Sequence, residues 1–197
     1  MGARDRALKL LAELERRSLA KNTIIVYTSD NGYFLGERGY ADKWLMYDLS
    51  IKVPLIIFDP RAPLENRSLI RKELVLNVDL PATFLDLAGA RVPEAIQGRS
   101  LRPLLGCSRP AWRGEIFCEE LLDNAEIPQS ECVRTDRWKY SQYPKHPEYV
   151  ELFDLEADPQ EKRNLAGEDG QQARLEELRV RCRNWIKNLV AARKKFQ

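Results

Sequence analysis

The residues from Thr23 to Thr28 form an apolar run that ends just before the sequence Asp30-Asn31-Gly32. An apolar run without alternation is typical of a strand covered on both faces of a parallel sheet. Ligand sites in open α/β sheets lie just beyond the carboxyl ends of the strands. The sequence therefore predicts an α/β fold in which Asp30 and Asn31, two residues with hard oxygen donors, lie at a site.

The first half of the chain has the element order of a layered α/β fold. An amphipathic helix over residues 5–17 is predicted to cover one face of the sheet. A second buried strand is predicted at 53–58 and a helix at 80–87. Residues 32–44 hold too many glycines and charges for a regular element, so we expect a long active-site loop there.

The pattern changes after about residue 108. Three short segments alternate or carry aromatic residues, and turn residues separate them: 115–118, 131–135 and 137–143. This pattern predicts an antiparallel sheet. Residues 171–195 repeat apolar side chains at steps of three and four, which predicts a C-terminal helix on that sheet. We therefore predict two domains: 1–108, part of an α/β sheet sandwiched by helices, and 109–197, a small α+β subdomain.

Composition excludes several classes of function. The formal net charge of +2 over 197 residues gives no reason to expect a nucleic-acid partner. No apolar run approaches the roughly 20 residues of a membrane span, and the first residues lack a signal-peptide pattern. The four cysteines form no CxxC motif, so we expect buried free thiols rather than a metal cluster or a disulfide framework.

Several sequence pieces occur in the order found in one enzyme family. The Asp-Asn pair is followed by the glycine-rich Gly36-Glu37-Arg38-Gly39, by Asp42-Lys43 and by a strand that opens with Val53-Pro54. Similar pieces follow at 76–80, 85–89, 97–101, 151–155, 158–159 and 164–165. Together they resemble the sulfatase family, which has an alkaline-phosphatase-like fold. The sequence Thr-Ser-Asp-Asn-Gly-Tyr is most similar to the branch that acts on sulfated glucosamine sugars.

The resemblance implies roles for individual residues. Asp30 and Asn31 would bind Ca²⁺ or Mg²⁺, Lys43 would bind the sulfate and act in catalysis, and Arg38 and His146 would contact the substrate. Ca²⁺ takes six to eight oxygen ligands, so the Asp-Asn pair is too small to hold the ion alone. Taken alone, Asp30-Asn31-Gly32 would be interpreted as an ordinary turn, and Lys43 as an exposed lysine in a loop. The joint occurrence of the two pairs favours the functional interpretation.

The nucleophile motif of the family does not occur in the chain. Sulfatases carry Cys-x-Pro-x-Arg or Ser-x-Pro-x-Arg, whose first residue is oxidised to formylglycine. Cys107-Ser108-Arg109-Pro110 has the right residue types in a different order. We therefore expect the C-terminal part of a sulfatase that hydrolyses sulfate monoesters of sulfated glycans and is inactive alone. Family members are often periplasmic, secreted or lysosomal, so the localisation stays open.

Two alternatives remain at this stage. The same fold and metal pair would serve a phosphonate or phosphate monoester hydrolase, because the pair does not distinguish sulfur from phosphorus. The second alternative is a truncated or degenerate, non-catalytic domain that binds a partner. The resemblance also implies that these 197 residues lack several central strands of the family sheet. An apolar sheet edge and face would then be uncovered, and we expect such a chain to self-associate.

Overall fold

The computed structural model describes residues 2–122 and 126–195. Within these ranges lie four α-helices: α1 (Ala3–Arg16), α2 (Asp48–Ile51), α3 (Asp79–Leu87) and α4 (Gln172–Lys195). The first four strands are β1 (Ile25–Thr28), β2 (Phe34–Leu35), β3 (Ala41–Asp42) and β4 (Leu55–Phe58). The last four strands are β5 (Glu115–Glu120), β6 (Ser130–Thr135), β7 (Trp138–Gln142) and β8 (Val150–Asp154).

Strands β1 and β4 form an antiparallel pair in which Ile25 lies opposite Phe58 and Thr28 opposite Leu55. Both strands lie where the sequence predicted them. The prediction that they are covered on both faces of a parallel sheet is wrong for this chain, because Ile56 is 60% exposed and Phe58 42% exposed. The reason is that no third strand joins the pair among the described residues. A continuous apolar run cannot show which neighbours cover it.

Helix α1 forms within one or two residues of its predicted bounds and packs against the 3₁₀ turn Ala20–Asn22. Its apolar stripe does not cover a sheet face as expected, since Leu8 is 53% exposed and Leu11 40% exposed. An amphipathic pattern predicts that a helix has a face to bury, but burial also needs a facing layer. That layer is not formed on this side of α1 by the described residues.

The second half of the chain contains a four-stranded antiparallel sheet in the sequential order β5-β6-β7-β8. Helix α4 packs on β6 and β7. Seven buried residues form the shared core: Val133, Tyr140, Leu152, Leu165, Leu175, Leu178 and Cys182. The predicted antiparallel sheet and C-terminal helix are thus confirmed, with β8 as an additional strand. No helix in the described ranges is both long and apolar enough to cross a membrane.

A buried ion pair connects α3 to the segment that precedes the small sheet. Asp79 is fully buried and accepts two hydrogen bonds from the Arg113 guanidinium, at 2.7 and 2.8 Å. It also accepts the backbone N–H groups of Leu76 and Arg99, each at 2.8 Å. At Gly98, a Cβ would lie 1.8 Å from the carbonyl oxygen of Val78, so only glycine fits this approach. Segments 76–80 and 97–101 therefore hold each other in place.

The predicted active-site loop is largely irregular and contains the short β2–β3 hairpin. Phe34 of this loop and Tyr47, three residues after it, lie in a small core with β8. Phe34 and Tyr47 are buried against Phe153 and Leu155, and the rings of Tyr47 and Phe153 lie 5.9 Å apart. The loop thus packs on the second half of the chain, which positions it. The domain boundary at residue 108 stays a prediction.

Candidate active site

Asp30 lies two residues beyond the end of β1, with its side chain exposed. Its Oδ1 accepts the backbone N–H of Asn31 at 2.9 Å and the Ser29 hydroxyl at 3.3 Å. The hydrogen bond from the Asn31 backbone, together with the other donors and Lys43, lowers the pKa of Asp30 below its ordinary value. The carboxylate is therefore ionised at neutral pH and is available as a ligand for a cation.

The side chains of Asn31 and Lys43 are in contact although the two residues lie twelve positions apart in the sequence. The Lys43 ammonium donates to Oδ1 of Asn31 at 3.1 Å. The amide Nδ2 of Asn31 donates to the carbonyl oxygen of Gly32 at 2.6 Å, which fixes the side-chain orientation. An amide oxygen has two lone pairs, so Oδ1 can accept Lys43 and still serve as a ligand. The structure thus brings together three of the five predicted site residues.

Gly32 lies against the backbone of α2. Its N–H donates to the carbonyl oxygen of Ser50 at 2.7 Å. A Cβ at this position would lie 2.1 Å from the carbonyl oxygen of Leu49, a distance that no side chain tolerates. The sequence indicated only a turn at this glycine. Its main constraint is the close approach of α2, which local sequence does not reveal.

Asn77 is a further residue at the site that the sequence did not indicate. Its Nδ2 donates to the backbone carbonyl oxygen of Asp30 at 2.9 Å. It belongs to the segment 76–80, which contributed to the family resemblance but carried no assigned role. Asn77 supports the backbone of the Asp-Asn pair from the N-terminal side of α3.

Arg38 holds the loop against the second half of the chain. Its guanidinium donates to the carbonyl oxygens of Gln160, at 2.5 Å, and Glu161. It also lies 4.3 Å from the ring centroid of Tyr47, in a cation–π contact. These contacts occupy the guanidinium with protein groups. Substrate binding by Arg38 stays a prediction.

His146 lies on an exposed loop between β7 and β8. Its Nδ1 is 3.6 Å from the Glu148 carboxylate, and its ring lies 5.8 Å from that of Tyr149. Both partners belong to the same loop. The contacts of His146 therefore do not connect it to Asp30, Asn31 or Lys43, and its predicted substrate contact stays untested.

Four charged residues form what we call the buried charge cluster: Asp48, Arg134, Lys139 and Glu161. Nζ of Lys139 lies 2.5 Å from Oδ1 of Asp48 and 2.5 Å from Oε1 of Glu161. Burial alone would raise the pKa of Asp48, but Lys139 and Arg134 lower it. Burial raises the pKa of Glu161, and Lys139 offsets only part of that effect.

The two fully buried thiols, Cys132 and Cys182, give no sign of an alternative nucleophile. Burial raises the pKa of the Cys182 thiol to about 12 and moves that of Cys132 in the same direction. Cys107 is exposed and donates to the carbonyl oxygen of Glu65 and to the Asn66 side chain. Reactive cysteines need a lowered pKa, and burial has the opposite effect on Cys132 and Cys182.

The described residues contain no group of three or more His, Cys, Asp or Glu side chains that could hold a metal ion. Asp30 and Asn31 still fit the donor chemistry of Ca²⁺ or Mg²⁺, with one ionised carboxylate and one amide oxygen. Together they could supply only part of a ligand set. A complete site would need further oxygen ligands.

Residues 36–188 match the family described as N-sulphoglucosamine sulphohydrolase, C-terminal. The match includes Lys43, the buried charge cluster and most of α4. The chain belongs to the sulfatase family. It corresponds to the C-terminal region, as the sequence predicted, and the sulfatase relatives confirm its α/β, alkaline-phosphatase-like fold class.

Individual sulfatases and their structural relatives support this placement. N-acetylglucosamine-6-O-sulfatase of Bacteroides thetaiotaomicron is 38% identical over 164 residues, which cover 81% of this chain and 29% of that protein. The solved structure of a protein in complex with its substrate D-glucosamine-2-N,6-O-disulfate superposes on this chain with a TM-score of 0.79. It is 34% identical and covers 91% of this chain and 37% of the other.

A phosphonate monoester hydrolase from Silicibacter pomeroyi superposes equally well, with a TM-score of 0.79 at 28% identity over 91% of this chain and 38% of that one. The fold alone therefore does not distinguish sulfate from phosphonate esters. This sulfatase-family chain spans about a third of the length of these relatives.

Proposed function

We propose that this chain carries part of the active site of a metal-dependent sulfatase that hydrolyses sulfate monoesters of sulfated sugars. The observation that carries the proposal is the contact between Lys43 and Asn31, next to the ionised Asp30. The contact sets a cation beside the second of two adjacent residues that carry hard oxygen donors. That combination suits a doubly charged metal together with a sulfate group.

Asp30 and Asn31 would hold Ca²⁺ or Mg²⁺ through the carboxylate and the amide oxygen. When bound, such an ion supplies Lewis-acid polarisation of the ester and neutralises charge on the sulfate oxygens. The chain prepares the ligands in two ways. Hydrogen bonds from Asn31 and Ser29 orient the Asp30 carboxylate, and Asn77 fixes the backbone beneath it.

Lys43 would bind the sulfate group and act in catalysis. Its ammonium is held by Asn31 and by the Trp44 ring, whose centroid lies 5.1 Å away. Because the ammonium is already in position, little reorganisation is needed when negative charge grows on the ester oxygens in the transition state. His146 remains a proposed contact for the sugar. Arg38 is proposed chiefly as a residue that supports the loop.

The reaction also needs a nucleophile, and we propose that formylglycine comes from residues other than these 197, because the motif is missing here. Sulfated glucosamine is the proposed substrate class. It is supported by the names of the N-acetylglucosamine-6-O-sulfatase relative and of the substrate in the solved structure. Phosphonate ester hydrolysis is the second candidate, which the Silicibacter pomeroyi structure favours.

A fusion tests the proposal. This chain would replace the matching region of N-acetylglucosamine-6-O-sulfatase from Bacteroides thetaiotaomicron, so that the fusion retains that protein's remaining residues. Sulfate release from N-acetylglucosamine 6-sulfate would be measured with Ca²⁺ and with EDTA, beside a phenylphosphonate monoester.

Ca²⁺-dependent sulfate release is the expected result. Preference for the phosphonate ester would support the second candidate. A folded fusion that cleaves neither ester would contradict both enzyme assignments and favour a non-catalytic binding role.

A further inference from the structure

Helix α2 lies between the buried charge cluster and the candidate active site. Lys139 is fully buried, and its Nζ contacts the side chains of both Asp48 and Glu161 at 2.5 Å. Glu161 also accepts the backbone N–H of Asp48 through Oε2, at 2.7 Å. The first residue of α2 is thus held through its side chain and through its backbone.

The other end of α2 contacts the residue that follows Asn31. The carbonyl oxygen of Ser50 accepts the N–H of Gly32 at 2.7 Å. The missing side chain at Gly32 lets the α2 backbone come this close. A shift of α2 would therefore move Gly32, and with it the side chain of Asn31 that receives Lys43.

We propose that Lys139 and Glu161 are positioning residues of the candidate active site. By holding α2 they fix Gly32, and thereby they set the orientation of Asn31 toward Lys43. Neither residue contacts the three proposed site side chains directly. A role in catalysis rests on the proposed function. The coupling from Lys139 and Glu161 through α2 to Asn31 can be tested without measuring turnover.

The cost of the arrangement argues for a role beyond packing. A buried ion pair contributes little net stability, because desolvation of the charges offsets their attraction. Glu161 in addition has a φ of +55°, in the left-handed region that non-glycine residues rarely occupy. Such strained residues concentrate at functional sites. Glu161 binds through its side chain and its backbone: the carboxylate accepts from Lys139 and Asp48, and the carbonyl oxygen accepts from Arg38.

The buried charge cluster contains two acidic and two basic side chains. Burial disfavours the Lys139 ammonium, yet Cys132, Asp48 and Glu161 outweigh it and raise the pKa of Lys139. Arg134 adds a second cation, 3.3 Å from Asp48. Because one cation bridges two acids on different segments, removal of Lys139 should loosen α2, which would then be held only by Arg134 and by the hydrogen bond from the Asp48 N–H to Glu161.

Hydrogen exchange of the full chain tests the link. Lys139→Met removes the bridging ammonium, and Glu161→Gln removes one charge while keeping an acceptor for the Asp48 N–H. Arg137→Met is the matched control, because it breaks the neighbouring Arg137–Asp154 ion pair at the exposed end of β7. Sodium sulfate would be titrated in parallel, with the side-chain amide resonance of Asn31 as the probe.

In Lys139→Met, amide exchange over residues 31–50 should rise about tenfold while β6 and β7 stay protected. The Asn31 side-chain resonance should shift or broaden, and sulfate binding should weaken about tenfold. Glu161→Gln should show a smaller change of the same kind, and Arg137→Met none in this segment. If Lys139→Met does not fold, Glu161→Gln alone decides.

Uniformly faster exchange across the sheet, or unchanged exchange at 31–50, would overturn the inference. Loosening of residues 31–50 without a change in the Asn31 resonance would overturn it as well. If the unmodified chain does not bind sulfate, the proposed sulfate site fails in this chain. The exchange and resonance data still decide the positioning role.

Discussion

Gly32→Ala should disrupt the candidate site through the backbone of α2. The added Cβ would lie 2.1 Å from the Leu49 carbonyl oxygen and 3.0 Å from the Ser50 carbonyl carbon. The atoms in its way belong to the backbone, so no side-chain rotation can relieve the overlap. Overpacking of this kind costs about 1–3 kcal/mol. Separation of α2 from Gly32 would also lose the 2.7 Å hydrogen bond, which leaves the half-buried Gly32 N–H and the carbonyl group of the buried Ser50 unpaired.

We therefore expect Gly32→Ala to lower the free energy of unfolding by about 2–4 kcal/mol. Urea unfolding measures this loss of stability. The NMR resonance of the Asn31 side-chain amide shows whether the candidate site is disturbed. Gly114→Ala is the matched control, because a Cβ at Gly114 meets nothing within 4 Å. A Gly32→Ala chain as stable as the control variant, with an unchanged Asn31 resonance, would refute the close-approach argument.

Three further predictions follow from buried or exposed groups. Asp79→Ala should lower the free energy of unfolding by about 3–5 kcal/mol in urea, because Arg113 and the backbone N–H groups of Leu76 and Arg99 lose their buried acceptor; Asp79→Ala/Arg113→Met should recover only the part that belongs to Arg113. The Arg137 hydrogen bonds hold the pKa of Asp154 below its unfolded value. Its stabilisation is therefore complete above about pH 4 and is lost as the pH falls through the folded pKa, so Asp154→Asn should flatten the acid limb of urea stability below about pH 4. The exposed β1–β4 face should make the chain self-associate in sedimentation runs, and Ile56→Lys should reduce this; a 22.8 kDa monomer at all concentrations would contradict it.

Local patterns sufficed for the elements whose burial is local. The C-terminal helix and the antiparallel sheet were predictable, because apolar periodicity and turn residues fix them within a few residues. The position of Asp30 and Asn31 after β1 followed from the strand pattern in the same way. These features depend on neighbours close in sequence.

Other features depend on contacts between distant segments. Lys139 lies between Trp138 and Tyr140 on a strand that is buried on both faces, so alternation gave no sign that a charged residue would be fully buried. Its partners Asp48 and Glu161 are 91 and 22 residues away. The exposure of β1 and β4 was missed for the converse reason, since an apolar run shows a need for cover and not its presence.

The central claim is that Lys43 acts at an active site with Asp30 and Asn31. The most direct test is kcat/KM for sulfate release by the fusion, with Lys43→Ala compared with Lys52→Ala, an exposed lysine before β4. Loss of a preorganised electrostatic donor costs about 10²–10³ in rate, so Lys43→Ala should fall by that factor while Lys52→Ala stays within about twofold. Equal activities of the two variants would contradict the account.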